Sequence, residues 1–138
     1  MVADLIFWPM IVLALTSLWL YVPMSQARIK TIKSGKAKAG TYKLNDGEPE
    51  ESRLFNNAIA NQFESPVLFY AVCLAIYVTG MAGWPMIALA WAYAVAKLAH
   101  IYVHISTNNL RHRRPAFIVS YALLIALWVA FAVQLALL

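Results

Sequence analysis

The chain has 138 residues, 62% of them hydrophobic and 12% charged, where a soluble domain averages about 45–50% apolar and about 25% charged. Composition therefore excludes a single water-soluble core and points to a polytopic membrane protein, organised as one domain over residues 1–138. The net charge of +5 is concentrated, with seven of the eleven Lys and Arg between Arg28 and Arg53 and three between Arg111 and Arg114. That is the pattern of cytoplasmic loops rather than of a basic stripe on a folded face, so nucleic acid is excluded as a partner.

Residues 5–24 are long enough and apolar enough for a first transmembrane helix. Asp4 precedes it and the basic cluster follows it, the reverse of a secretory leader, so a retained helix with its N-terminus outside is expected. Arg28 closes this helix at the cytoplasmic edge. Residues 30–43, basic and glycine-containing, are predicted to be a loop with some attraction to the headgroups of membrane lipid. Acidic residues around Pro49 start a second helix, predicted over residues 50–79, with a kink at Pro66. Residues 80–85 form a tight outer turn. A third helix is expected over about residues 86–108 and a fourth from Pro115 to Leu138, joined by a second cytoplasmic turn. The fold class is thus an all-α integral membrane bundle of four transmembrane helices, with both termini on the non-cytoplasmic side.

Polar residues inside apolar helices carry the functional signal, because an intramembrane ionisable group needs a partner or a wet cavity. Asn57, Asn61 and Glu64 fall within about 60° of one another on a helix, and Arg53 points the same way as Glu64 within about 20°. On the third helix Lys97, His100 and His104 share a face, which Asn108 and Arg111 extend if the helix continues. The two edges together describe a cleft near the cytoplasmic surface for a small zwitterionic or anionic ligand. His100 and His104 have the i, i+4 spacing of a metal pair, but no carboxylate or cysteine joins them on that helix and Glu64 is distant, so no metal site is assigned. Cys73, the single cysteine, reads as a small buried hydrophobe. Phosphate-loop and nucleophile-elbow patterns do not occur.

Asn61-Gln-Phe-Glu64 followed by Pro66, the spaced Lys97, His100, His104 and Arg111, the length and the four-helix layout together resemble the MAPEG family, the membrane-associated proteins in eicosanoid and glutathione metabolism. The resemblance implies a homotrimer that binds glutathione at subunit interfaces near the cytoplasmic side. It implies a glutathione-dependent transferase or peroxidase acting on a lipophilic small-molecule substrate, in a membrane of the bacterial inner-membrane or endoplasmic-reticulum type. Asn61 and Glu64 match residues that hold the glutathione backbone, and Arg28 matches an arginine contributed by the neighbouring subunit. His100 and His104 occupy positions often filled by tyrosine or histidine. Tyr121 falls where some members have a tyrosine near the reaction centre, and Arg111 resembles the catalytic arginine that faces the thiol. Counting back from Pro115 selects Arg113 or Arg114 instead. Asn57 stands where members commonly have arginine, and Ile59 where glutamine or histidine is frequent; Arg53 is a substitute base one turn away. In the implied mechanism a guanidinium stabilises the glutathione thiolate, which attacks the electrophile.

Two other readings compete. In a non-catalytic binding or structural protein of the same fold, Glu64 would pair with Lys97 or Arg28 between helices. In a lipid or small-solute carrier, the polar edges would line a path.

Overall fold

The computed structural model describes residues 2–44 and 46–137, and no strand occurs among them. Four helical spans, Ala3–Lys33, Glu50–Val78, Trp84–Ile105 and Leu110–Ala136, are long and apolar enough to cross a membrane. The shortest has 22 residues, which at a rise of 1.5 Å per residue reaches about 33 Å, enough for a hydrocarbon core of about 30 Å.

The first span opens with a 3-10 turn, Ala3–Ile6, and continues as α1, Phe7–Trp19, and α2, Tyr21–Lys33. It outruns the expected end near residue 24, and the predicted loop is helical up to Lys33. Three local features extend it. Lys30 and Lys33 lie in the last turn, where cations suit the helix dipole. The hydroxyls of Thr31 and Ser34 bond back to the carbonyls of Arg28 and Thr31. The face of α2 also packs along α4, Glu50–Ala60. The connecting segment carries a short helix, α3, Thr41–Leu44. It is pinned by Tyr42, whose hydroxyl meets those of Thr31 and Ser52.

The second span is interrupted rather than kinked. After α4 come a 3-10 turn, Asn61–Phe63, and then α5, Ser65–Val78. The break falls at Glu64 (φ −103°, ψ −102°), two residues before the proline expected to cause it. Pro66 lies in the first turn of α5, where a missing amide removes no intrahelical bond.

The third span, α6, Trp84–Ile105, stops short of residue 108. Asn108 adopts a left-handed conformation (φ 49°), which Asn tolerates better than most residues, and it reverses the chain. The five-residue polar stripe therefore does not run along one helix. The fourth span, α7, Leu110–Ala136, starts five residues before Pro115. Asn109 accepts a hydrogen bond from the Arg111 amide (3.0 Å), satisfying an amide of the first turn. Pro115 then lies inside the helix, where it leaves the Arg111 carbonyl without its usual donor. Leu138, the expected end of this helix, lies outside the described residues.

Leu13, Phe69, Val72, Ile76, Tyr93 and Leu127 are fully buried and form the centre of the bundle. Trp8, Leu15, Leu18, Val78 and Ile125 are exposed on its outer faces, the arrangement of a protein whose solvent is lipid. Cys73 is buried in the same core.

Candidate active site

The site is built on α6. Lys97, His100 and His104 follow one face of that helix, and no more than 3% of any of them is exposed. The two imidazoles lie 5.8 Å apart, centre to centre. The His100 ring meets Phe117 of α7 edge-on at 5.5 Å, and Phe117 lies 4.6 Å from Tyr121. Arg113, in the first turns of α7, is held by the left-handed turn: its Nη1 donates to Asn108 Oδ1 at 2.6 Å. Asn61 enters from the end of α4.

These side chains converge on a cavity of about 290 Å³ lined by Asn61, His100, His104, Arg113, Arg114 and Phe117, with Leu110 at its edge. No carboxylate is among the lining residues, so its electrostatics favour an anion. The Nδ1 of His100 is buried and has no hydrogen-bond partner. A buried polar atom left in this way costs about 1–3 kcal/mol, and a ligand that bonds to it removes that cost.

A second, larger hollow of about 580 Å³ adjoins the first and shares Leu110 and Arg114 with it. Its other lining residues are Arg111, Pro115, Ile118 and Val119, and its surface is mostly apolar. A polar, basic cavity and an apolar groove thus meet at one edge of α7.

Of the residues singled out in the sequence, the cavity brings together Asn61, His100 and His104. Arg111 lies on the exposed side, in the apolar groove. Arg53 and Asn57 are exposed on α4, and Glu64 is exposed at the start of α5. Tyr121 is half-buried behind Phe117. Arg28 stands at a different locus: its Nε donates to Glu48 Oε1 at 3.0 Å and its guanidinium lies over the Tyr42 ring at 4.8 Å. Lys97 donates to Ser65 Oγ (3.1 Å) and to the Asn61 carbonyl (3.4 Å). Among the described residues, no group of three or more His, Cys, Asp and Glu could hold a metal ion.

A model of the MAPEG family matches residues 6–133, nearly the whole chain. The chain belongs to the MAPEG family. Neither the comparison with curated proteins nor that with solved structures gives a match. Family membership and the four apolar spans make it an integral membrane protein related to glutathione and eicosanoid metabolism.

In this MAPEG protein several residues of the site escaped sequence reasoning. Asn108, expected to extend the polar face of the third helix, instead anchors Arg113, a role at which the run Ser106-Thr107-Asn108-Asn109, a turn signal, only hinted. Phe117 closes the cavity floor but looks like any other apolar residue of the fourth helix. Glu48, 3% exposed, holds Arg28 and also accepts from Asn56 Nδ2 at 3.4 Å, although its sequence context reads only as part of an acidic patch that starts the second helix.

Proposed function

We propose that this protein is a glutathione-dependent transferase or peroxidase in which Arg113 stabilises the glutathione thiolate against a lipophilic electrophile. The observation that carries the reading is the juxtaposition of an anion-favouring cavity with an apolar groove across Leu110 and Arg114. A water-soluble nucleophile and a lipid-soluble electrophile need such a boundary to meet.

The cavity fits the thiol end of the ligand. Its lining is basic, carries no carboxylate and includes the unsatisfied His100 Nδ1. Bound glutathione supplies a thiol, whose anion is the nucleophile. The Arg113 guanidinium, fixed by Asn108, offers a permanent positive charge that favours the anion. His100 and His104 offer hydrogen bonds, and Asn61 offers an amide to the peptide portion. Phe117 gives the cavity an apolar wall, beside which each of these interactions is stronger than in open water. Ile118 and Val119 offer the electrophile an apolar seat beside the nucleophile.

Arg53, Asn57, Glu64 and Arg111, exposed on the single chain, are assigned to the rim, where a neighbouring copy brings its own Arg28 face against them in a homotrimer. Both termini are assigned to the non-cytoplasmic side, in a bacterial inner membrane or an endoplasmic-reticulum membrane, with residues 1–138 acting as one domain. The competing structural reading has one observation in its favour, that Arg28 and Lys97 already have protein partners, but these are Glu48 for Arg28 and Ser65 with the Asn61 carbonyl for Lys97, not the Glu64 which that reading expects.

Purified protein in lipid nanodiscs is expected to accelerate conjugation of glutathione to a lipophilic aryl halide. Glutathione at a hundred times its Kd should also stabilise the protein by about 2.7 kcal/mol. Absence of both effects would remove the reading. The groove has its own test. Val119→Ala should raise KM for the electrophile roughly tenfold while leaving the glutathione Kd unchanged, since one or two methylenes of lost contact cost that much in an apolar pocket. An unchanged KM would separate the groove from catalysis.

A further inference from the structure

The interruption of the second span has a consequence for the site. It leaves Asn61 at the C-terminal end of one helical segment and Ser65 at the start of the next. A helix C-terminus carries partial negative charge on carbonyls that lack intrahelical donors. Inside a membrane bundle such carbonyls need a donor from the protein itself. The ammonium of Lys97, 1% exposed, stands at this end and bridges the gap. It donates to the Asn61 carbonyl at 3.4 Å and to Ser65 Oγ at 3.1 Å, while the buried Tyr93 hydroxyl donates to the same Ser65 Oγ at 3.1 Å. Both acceptors belong to residues that flank the interruption, and both donors come from α6, one and two turns from His100 along that helix.

We propose that Lys97 is a positioning residue, which holds Asn61 and Ser65 across the interruption and so keeps the Asn61 side chain at the cavity that His100, His104 and Arg113 line. The proposal rests on the reading of that cavity as the thiol site. Lys97 acts through Asn61, because it is not itself among the lining residues. The geometry also gives the charge a reason to be there. A lysine that served only to fill space would be replaced without loss by methionine, of similar length and far easier to bury.

The test combines two readouts on Lys97→Met and on Ser65→Ala, the second of which keeps the charge in place. Hydrogen exchange in nanodiscs without ligand is expected to quicken at the amides of residues 62–65 by at least about tenfold, with the rest of α5 and α6 unchanged. Glutathione affinity is expected to fall roughly tenfold in Lys97→Met, and to fall no further when Lys97→Met is added to Asn61→Ala, because the two changes act through one group. Unchanged exchange at residues 62–65, exchange that quickens uniformly along both helices, or affinity losses that simply multiply would each overturn the proposal. If Lys97→Met does not fold, Ser65→Ala decides by the same criteria. Failure of the wild-type protein to bind glutathione is a separate result. It removes the thiol-site reading, while the exchange measurement still decides whether Lys97 holds the break.

Discussion

Arg113→Ala is expected to lower kcat/KM for conjugation by about a hundredfold, the scale seen when one preorganised donor is removed from a developing anion. Arg111→Ala should lower it by less than about tenfold, as a rim charge that affects encounter more than chemistry. The difference follows from where the two side chains sit. Arg113 reaches into the cavity with His100 and His104 and is fixed by the 2.6 Å bond to Asn108. Arg111, two residues earlier on the same helix, points out into the apolar groove. Asn108→Ala should reproduce part of the Arg113 defect, because a guanidinium free to move is a weaker stabiliser than one held in place. Kinetics of the three variants against one aryl halide are sufficient. A larger loss for Arg111 than for Arg113 would reverse the assignment of the thiol-facing base.

Arg28→Ala carries the largest expected effect on stability. Glu48 is 3% exposed, and its carboxylate is matched by Arg28 Nε at 3.0 Å and by Asn56 Nδ2 at 3.4 Å. Removing the guanidinium leaves a buried carboxylate whose remaining hydrogen-bond partner among the described residues is the Asn56 amide, a change that costs about 3–5 kcal/mol in comparable cases. It also takes away the cation stacked over Tyr42, at 4.8 Å, and with it one anchor of the segment between α2 and α4. Glu48→Gln should cost less, since a carboxamide can be buried with fewer bonds than a carboxylate. Thermal unfolding without ligand checks both. The result also governs how Arg28 is read as a glutathione contact. A loss of binding in Arg28→Ala that tracks the loss of stability is a folding effect. A loss in a variant of normal stability, Arg28→Lys being the natural choice, speaks for contact with the ligand. An Arg28→Ala protein as stable as the wild type would contradict the structural role of the pair.

The helices themselves were legible because long apolar runs with few charges have no other stable form in a bilayer. Their ends were less so. The first helix runs on to Lys33, since backbone bonds of Thr31 and Ser34 and packing against α4 outweigh a basic, polar composition. Pro115 was expected to begin the fourth helix, but the Asn109 cap begins it five residues earlier. That shift decides the site, because it carries Arg113 onto a helix beside His100 rather than into a loop. Asn61, His100 and His104 could be singled out from spacing alone, since polar residues are conspicuous in an apolar helix. Which arginines join them could not be, because Arg111, Arg113 and Arg114 have the same chemistry; Arg113 and Arg114 line the cavity, and Arg113 is the one held by the left-handed Asn108. Glu48 was hidden for the opposite reason: its burial is produced by a distant residue, Arg28, and leaves no local mark.

The most direct measurement is near-ultraviolet difference absorbance of the purified protein titrated with glutathione at neutral pH, with Arg113→Ala alongside. A saturable thiolate band in the wild type, absent in the variant, is the expected result and would establish binding and thiol activation by that guanidinium together. No band in the wild type, with no heat of binding in calorimetry, would contradict the account and leave the basic cavity as a site for another anion.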